Sequence, residues 1–303
     1  MDPQTRAAML AAALGTALLA AGVAYWFMRP KKASPDEAIS RTLAEADDDQ
    51  RKMMEERCII VNDADEPVRP ATKAECHQWA KIGGEGAMVH RAFSVFLFDH
   101  DARLVLQQRS EAKITFPGYW ANTCCSHPLW RPEEMELEDA MGVKRAARRK
   151  LQQELGTDPE TLPLSCFHWV GRVHYRAPCD DAIWGEHEID HVLLALPEGK
   201  VPLLPNDNEV QATESFTEAE LGEWLDEAPA KGTKVSPWFS VIREKMLPSW
   251  WAAVRGVRSA QARGEEVDVA AAMSKVRSEV ILRAGDPTEA TPVADAAAAG
   301  GSA

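Results

Sequence analysis

The sequence predicts a mixed α/β protein of the α+β type, an α/β/α sandwich around a mixed sheet. Short apolar runs bounded by turn-forming residues predict strands, as at Cys58–Val61 and Phe93–Phe98. A longer amphipathic run from Glu138 to Leu155 ends at Gly156, which predicts a helix with a glycine C-cap. Strands and helices do not alternate strictly along the chain, and this irregular order favours the sandwich.

The same signals predict three further elements, each bounded by turn-forming or capping residues. They are a hairpin from Phe93–Phe98 through the turn Asp99–Asp101 to Leu104–Leu106, a strand at Ile189–Leu196 and a helix at Thr217–Leu225. The strand assignment at Ile189–Leu196 rests on length, because an apolar run of this size is shorter than most helices.

The N-terminal stretch Ala7–Met28 contains no charged residue. At about 1.5 Å per residue it would span roughly 33 Å as a helix, enough to cross a bilayer. Basic residues follow it at 29, 31 and 32, against only Arg6 before it, so the positive-inside rule predicts a membrane-anchored protein whose catalytic domain faces the cytosol. The alternative is a cleaved signal or presequence that directs the protein to a plastid or another organelle.

Composition predicts three segments. Residues 1–50 comprise a transmembrane or targeting helix and a polar, acidic linker that begins at Ala33. Residues 51–255 form the catalytic domain. Residues 256–303 form a helical extension that ends in a low-complexity, disordered tail from Asp286 to Ala303.

The chain has 303 residues and a formal net charge of -13. This charge argues against nucleic acid as a partner, because phosphate backbones attract basic surfaces. The six cysteines include no Cys-x-x-Cys pair, so a zinc ribbon or a thioredoxin-type motif is not expected. They are interpreted as reduced thiols in a reducing compartment.

A first candidate site follows the turn Phe116–Gly118. If the chain is extended there, Cys125 and His127 point to the same face. A thiol beside an imidazole, or beside a metal-bound imidazole, is a candidate reactive cysteine. The plainer interpretation is a pair of small buried cysteines, Cys124 and Cys125, next to a turn histidine.

A second candidate site is the acidic run from Trp184 to His191. His187 and His191 match the zinc-protease pattern, which requires a helix. On a strand, Glu186 and Glu188 would instead share one face and converge on one site. The apolar run that follows favours the strand, and a solvated acidic loop is the third possibility.

Other polar residues could join these sites only through the fold. His77 and His90 could add imidazoles to His127 and two carboxylates, a mixed set that suits Zn²⁺, Mn²⁺ or Mg²⁺. Arg109 and Lys113 follow a strand and could clamp a phosphate. In isolation each of these residues is an ordinary core, loop or helix residue, as are Lys150 and Glu154, an i,i+4 pair on one helix.

Together these motifs resemble type I isopentenyl-diphosphate Δ-isomerase over about residues 52 to 252. The resemblance rests on long motifs in the family's order. They run from Leu104 to Gly118, from Asn122 to Leu129 and from Trp184 to Asp190, with His90–Ser94 and Ser236–Phe239 beside them. The family fold is a Nudix-like α/β/α sandwich with a mixed sheet.

The resemblance implies an isomerase that interconverts isopentenyl diphosphate and dimethylallyl diphosphate in isoprenoid biosynthesis. The alternative is a Nudix diphosphate hydrolase, whose metal box has glutamates where this helix has Lys150, Gln153 and Glu154. Only one of these three is a carboxylate, so the hydrolase is disfavoured. A third possibility is a membrane-tethered binding protein with an inactive enzyme fold, held by residues 7–28.

The resemblance also implies roles for individual residues. It implies acid/base catalysis by Cys125 and Glu188, helped by Tyr175, with Trp238 near the dimethyl end of the substrate. It implies contacts of basic residues with the diphosphate, by Lys73, Arg109, Lys113 and Lys150. It implies one divalent metal, Mg²⁺, Mn²⁺ or Zn²⁺, bound by His77, His90, His127, Glu186 and Glu188. It implies a second Mg²⁺ on the substrate diphosphate, held by Glu154.

Overall fold

A computed structural model of the chain describes Asp2, Gln4 and residues 34–284. The chain separates into two units, Met1–Ser40 and Arg41–Ala303, and the second unit contains every strand of the described residues. In the first unit, the backbone N–H of Glu37 donates to Ser34 Oγ at 3.2 Å and that of Ser34 donates to Glu37 Oε2 at 2.8 Å. This reciprocal capping begins helix α1, Pro35–Glu45.

The described residues of the second unit alternate irregularly between helices and strands. In order they are α2 Asp48–Met53, β1 Arg57–Val61, β2 Pro67–Thr72, α3 Lys73–His77, α4 Trp79–Ile82, β3 Val89–Leu97, β4 Leu104–Arg109, β5 Trp120–Asn122, β6 Cys124–Ser126, α5 Met141–Leu155, β7 Phe167–Pro178, β8 Gly185–Ala195, β9 Val210–Phe216, α6 Glu218–Glu227, α7 Pro237–Lys245, α8 Leu247–Ala262, α9 Val269–Ser274 and β10 Ile281–Arg283. Short 3₁₀ turns lie at Pro132–Glu134, Glu138–Ala140 and Leu164–Cys166.

Two sheets organise the described part of this unit. The larger has the order β10-β7-β8-β3-β1-β2, with β6 also paired to β3. Its pairing is mixed, since β3 and β8 are parallel while β7 and β8 are antiparallel. The smaller sheet has the order β5-β4-β9. Every residue of β3 and β8 is buried, as expected for strands covered on both faces.

Helix α5 packs against the centre of the larger sheet. Its buried residues recur at helical spacing and meet side chains of β3 and β8 in one core cluster. They include Val143, Ala147 and Leu151. The helix ends at Gly156, whose φ of 59° lies in the left-handed region that favours glycine.

The structure confirms the mixed α/β class, the strand at the start of the domain and the helices that end at Gly156 and begin after Thr217. The predicted hairpin forms only at its turn, where Phe98 and Leu104 make an antiparallel bridge and the Asp99 N–H donates to the Arg103 carbonyl at 3.0 Å; β3 and β4 otherwise belong to different sheets. The reason is that β3 pairs with β8 along one edge and with β1 and β6 along the other. β4 pairs instead with β5 and β9.

The predicted N-terminal linker is largely helical. The stretch interpreted as a linker contains α1 and the start of α2, which Asp47 caps by accepting the backbone N–H of Asp49 at 2.8 Å. The hydrophobic segment 7–28 and the tail 286–303 lie outside the described residues. The predicted domain boundary at residue 255 falls within α8, which runs on to Ala262. The domain limits themselves stay a prediction.

The prediction of a membrane-anchored protein, with its cytosolic orientation, is corrected. Among the described residues, no helix combines the length and the apolar character needed to cross a bilayer. The predicted membrane tether therefore has no support in the structure. The prediction had rested on the absence of charge from 7 to 28, a weak criterion for a segment rich in alanine.

A buried ionic cluster ties the turn after β1 to the centre of the larger sheet. Asp65 is 6% exposed and adopts a φ of 67°. Its carboxylate accepts from Arg91 Nε at 2.8 Å and lies 2.6 Å from His191 Nε2. Burial alone would raise the pKa of Asp65, but His191 and Arg91 outweigh it and hold the pKa below the usual 3.8.

We predict that Asp65→Asn lowers the free energy of unfolding by about 3–5 kcal/mol at pH 7, because Arg91 is then buried without its partner. Asparagine tolerates the positive φ, so the change isolates the charge. The carboxylate's contribution is present above pH 3.8 and is lost as pH falls through its lower folded-state pKa, so the deficit should shrink in acid. Urea denaturation measures both effects. Asp63→Asn, which alters an exposed neighbour, is the control and should change stability by less than about 0.5 kcal/mol.

Candidate active site

The register between β3 and β8 begins the site. His90 on β3 lies directly beside Glu188 on β8. Glu186 and Glu188 are two residues apart on one strand, so their side chains share the face of the sheet that His90 also presents. The strand alternative for the acidic run is therefore confirmed, and the zinc-protease interpretation is wrong because residues 185–195 form a strand.

Two more imidazoles arrive from outside the central strands. His77 ends the short helix α3, and His127 follows β6. The centroids of the three rings are 4.8 to 4.9 Å apart. His77 Nε2 lies 2.8 Å from Glu186 Oε2, while His90 Nε2 and His127 Nε2 lie 3.1 and 2.7 Å from Glu188 Oε1. The structure thus brings together all five residues that the resemblance assigns to the metal.

The donor set fits a divalent metal. One ligand atom from each of the five residues lies within 4.8 Å of all the others, and all five residues are buried. Several of these atoms, including His77 Nε2, His90 Nε2 and Glu186 Oε2, make no well-aligned hydrogen bond within the described residues. The five atoms lie close enough together to surround a single ion. Mixed imidazole and carboxylate donors suit Zn²⁺ and Mn²⁺.

The ring nitrogens of the three histidines are available to bind a metal. Nδ1 of His77 lies 2.6 Å from the carbonyl oxygen of Lys73 and donates to it, which leaves Nε2 free to bind a metal. Burial, reinforced by His90, holds the pKa of His127 well below 6.5, so its ring is neutral. Burial alone would lower the pKa of His90, but the Glu188 carboxylate, whose Oε1 lies 3.1 Å from His90 Nε2, raises it to about 9, and a metal would replace that proton.

Beside this cluster lies a cavity with about 350 Å³ of empty space, counting the part open to solvent. The predicted catalytic and substrate-binding residues, except Lys150, line it together with metal-binding candidates and residues that the sequence did not single out. The lining comprises Lys73, Phe93, Ser94, Arg109, Lys113, Thr115, Cys125, Ser126, His127, Tyr175, Glu186, Glu188 and Trp238. The cavity therefore joins an apolar and aromatic part to a basic part.

Cys125 is a protonated thiol at neutral pH. Burial raises its pKa to about 12, although Arg109, whose Nη1 lies 3.6 Å from Sγ, favours the thiolate. A thiolate formed during a reaction would have this guanidinium beside it. The side chain is therefore equipped to give up a proton and to take it back.

Glu188 has the opposite protonation state. Burial alone would raise its pKa, but His90 at 3.1 Å, with help from His77 and Tyr175, lowers it to about 2. The hydroxyl of Tyr175 donates a short hydrogen bond to Glu188 Oε2. Burial, together with the charge of Glu188, holds the pKa of Tyr175 well above 10, so the phenol keeps this proton. The cavity thus contains a proton donor and a proton acceptor.

Aromatic rings form one wall of the cavity. Trp238 is 2% exposed, and its indole N–H donates to Asn122 Oδ1 at 3.0 Å. Its ring packs edge-on against Phe116 at 5.2 Å and lies 6.0 Å from the ring of Tyr175. Asn122, which sequence reasoning missed, fixes the orientation of this face. Its position two residues before Cys124 in the motif was the available signal.

The basic part of the cavity is held by backbone oxygens. Arg109 Nη2 donates to the Thr115 carbonyl at 2.7 Å, and Nε donates to the Phe116 carbonyl at 3.1 Å. The turn that presents these oxygens has φ values of 48° at Phe116 and 72° at Gly118, the second of which glycine adopts without strain. The ammonium of Lys113 is paired with Glu209, another residue that sequence reasoning missed.

Two predicted residues lie away from the cavity lining. Lys150 and Glu154 are buried on α5, with Lys150 Nζ 3.3 Å from Glu154 Oε1. Glu154 Oε2 accepts from Gln107 Nε2 at 3.3 Å. Oε1 of Glu154 is buried, makes no well-aligned hydrogen bond within the described residues and has the Lys150 ammonium as its cationic neighbour. Their contact with a substrate stays a prediction.

We predict that Glu186→Gln weakens binding of Mn²⁺ and Zn²⁺ by more than about 100-fold, since removing only an outer partner of a ligand already costs about 10–100-fold. Calorimetric titration of chelator-treated protein measures the loss. Glu198→Gln removes the same charge at an exposed position and should leave the titration unchanged. Equal affinities for all three proteins would contradict a metal site at these residues.

Comparison with known proteins agrees with this geometry. The family model of the NUDIX domain matches residues 88–239, which confirms the expected Nudix-like fold. Isopentenyl-diphosphate Delta-isomerase 1 of Bos taurus is 46% identical over 205 residues, which cover 68% of this chain and 88% of the relative.

Relatives from other organisms match at similar levels. Isopentenyl-diphosphate Delta-isomerase I of Camptotheca acuminata is 45% identical over 204 residues, covering 67% of this chain and 85% of the relative. Isopentenyl-diphosphate delta-isomerase of Phaffia rhodozyma is 43% identical over 211 residues, covering 69% and 82%. The chain therefore belongs to the isopentenyl-diphosphate delta-isomerase family.

Proposed function

We propose that residues 51–255 interconvert isopentenyl diphosphate and dimethylallyl diphosphate by a 1,3 proton shift. The observation that carries this proposal is geometric: the Cys125 thiol and the Glu188 carboxylate line one cavity, beside the cluster of three histidines and two glutamates. The family relationship supports the same reaction. The two groups act from opposite faces of the five-carbon unit, so the shift is antarafacial.

Binding of the diphosphate positions the hydrocarbon. Lys73, Arg109 and Lys113 line the basic part of the cavity, and their positive charges suit phosphate oxygens. Lys150 lies behind them on α5 and adds positive charge. The diphosphate undergoes no reaction, and its binding energy holds the short alkene between the reacting side chains.

The proton shift then proceeds through a tertiary carbocation. Cys125 donates its thiol proton to the terminal methylene carbon, and the electrons of the double bond form the new C–H bond. Glu188 removes a proton from the carbon next to the oxygen-bearing methylene, and that C–H pair forms the new double bond. Each positioned acid or base contributes about 10²–10⁴-fold in rate. The roles reverse in the opposite direction.

The aromatic wall protects the cation. The face of a desolvated tryptophan stabilises a cation by about 2 kcal/mol, and Trp238 is almost fully buried at the cavity. Phe93 and Tyr175 also line the cavity and limit the access of water, which would convert the cation to an alcohol.

We assign a divalent metal, Mg²⁺, Mn²⁺ or Zn²⁺, to His77, His90, His127, Glu186 and Glu188. Bound there, the metal supplies positive charge that keeps the buried carboxylate of Glu188 ionised and oriented. We assign a second Mg²⁺ to Glu154 together with the substrate diphosphate on the family resemblance alone, since Glu154 Oε1 is paired with Lys150 at 3.3 Å. Magnesium commonly takes one or two protein carboxylates and completes its shell with phosphate oxygens and water.

The alternative, hydrolysis of the diphosphate, is disfavoured by helix α5. Lys150 and Gln153 lie where a Nudix hydrolase has metal-binding glutamates, and their side chains bond to each other at 3.2 Å. A lysine–glutamine pair cannot replace two carboxylate ligands. Release of phosphate from isopentenyl diphosphate, without dimethylallyl diphosphate as a product, would favour the hydrolase.

We predict that Cys125→Ala lowers the isomerase rate by at least about 10²–10⁴-fold, because the proton donor is removed. Conversion of isopentenyl diphosphate in D₂O, followed by NMR, measures both product and deuterium entering the new methyl group. Cys166→Ala, a change at a buried cysteine outside the cavity, is the control and should retain activity. A Cys125→Ala protein with full activity would rule out the mechanism.

A further inference from the structure

Glu209 is a buried carboxylate at the basic side of the site. It immediately precedes β9 and is 2% exposed. Its backbone is fixed at both ends, since its N–H donates to the Asn206 carbonyl at 2.8 Å and its carbonyl accepts from the Ser110 N–H at 3.0 Å. The side chain therefore projects from a rigid turn.

The carboxylate of Glu209 contacts the lysines that we assign to the diphosphate. Oε2 forms a short ion pair with Lys113, and Oε1 lies 4.0 Å from Lys150 Nζ and accepts from Gln153 Nε2 at 3.4 Å. Burial alone would raise the pKa of Glu209, but Lys113 and Lys150 lower it to about 2, so the group is a full negative charge.

Lys113 lines the cavity, and its side chain is buried there. Among the basic residues that line the cavity, Lys113 is the one whose ammonium group is paired with Glu209. A phosphate oxygen therefore has to share this ammonium with Glu209 or displace the carboxylate from it.

We propose that Glu209 is a positioning residue that competes with the substrate diphosphate for the ammonium group of Lys113. It keeps Lys113 and Lys150 charged and ordered before binding, and it limits the affinity of the site so that the product leaves. This inference rests on the proposed function, because it assumes that the diphosphate binds at Lys113. Carboxylate and phosphate oxygens bind an ammonium by the same charge-assisted hydrogen bonds, which makes the exchange possible.

Replacement of Glu209 by glutamine tests the proposal, since it keeps the size and removes the charge. We expect Glu209→Gln to bind inorganic pyrophosphate, in the presence of Mg²⁺, about tenfold more tightly than wild type by calorimetry. The KM for isopentenyl diphosphate should fall by a similar factor, and kcat should not rise. A merely structural role would instead raise KM and lower kcat together.

Control variants show whether a gain in pyrophosphate affinity comes from the Glu209–Lys113 pair. Glu214→Gln removes the same charge from an exposed position on β9 and should leave pyrophosphate affinity unchanged. In a Lys113→Met background, Glu209→Gln should give no gain, because the contested ammonium is absent. If Glu209→Gln does not fold, Glu209→Asp retains the charge, withdraws it by one methylene and should give a smaller gain of the same sign.

The outcomes separate this inference from the proposed function. If wild type binds pyrophosphate and a folded Glu209→Gln binds it equally or more weakly, competition by Glu209 is refuted while the isomerase assignment stands. If wild type binds no pyrophosphate, the assigned diphosphate site itself fails. An equal gain in the Lys113→Met background would also overturn the proposal, since the effect would not pass through Lys113.

Discussion

The parallel pairing of β3 with β8 is the constraint on which the site depends. It sets His90 beside Glu188, and strand alternation then places Glu186 on the same face. β6 pairs with β3 so that Cys125 lies opposite Ser94, and His127 follows at the edge of the same face. A slip of one residue between β3 and β8 would turn both carboxylates away from the imidazoles and from the thiol.

Burial makes this geometry chemically useful. Cys125 and Glu188 line one cavity, yet burial leaves the thiol protonated while histidine and tyrosine partners keep the carboxylate ionised. Environments that push two titratable groups in opposite directions define an acid and a base. The same low polarity makes unpaired charge costly, which explains why Glu186 and Glu188 lie among histidines and why Glu209 is paired with Lys113.

The sequence predicted local features well and non-local ones only through the family resemblance. Periodicity and a glycine cap sufficed for α5, and length with flanking residues sufficed for β8. Spacing could not bring His77 or His90 to Glu188, because strand pairing across about a hundred residues has no local signal. The hairpin extends no further than its turn, since β3 has other neighbours on both edges. Glu209 was missed because an acidic residue after an asparagine-rich turn is ordinary until the fold places lysines around it.

The central claim is that a thiol and a carboxylate flank the five-carbon unit from opposite sides. A crystal structure with the saturated analogue 3-methylbutyl diphosphate tests it most directly, since that compound cannot isomerise. We expect Cys125 Sγ and a carboxylate oxygen of Glu188 to contact the hydrocarbon chain at about 4 Å on opposite faces, with the diphosphate at the lysines. Both groups on one face, or the hydrocarbon bound away from Cys125, would contradict the account.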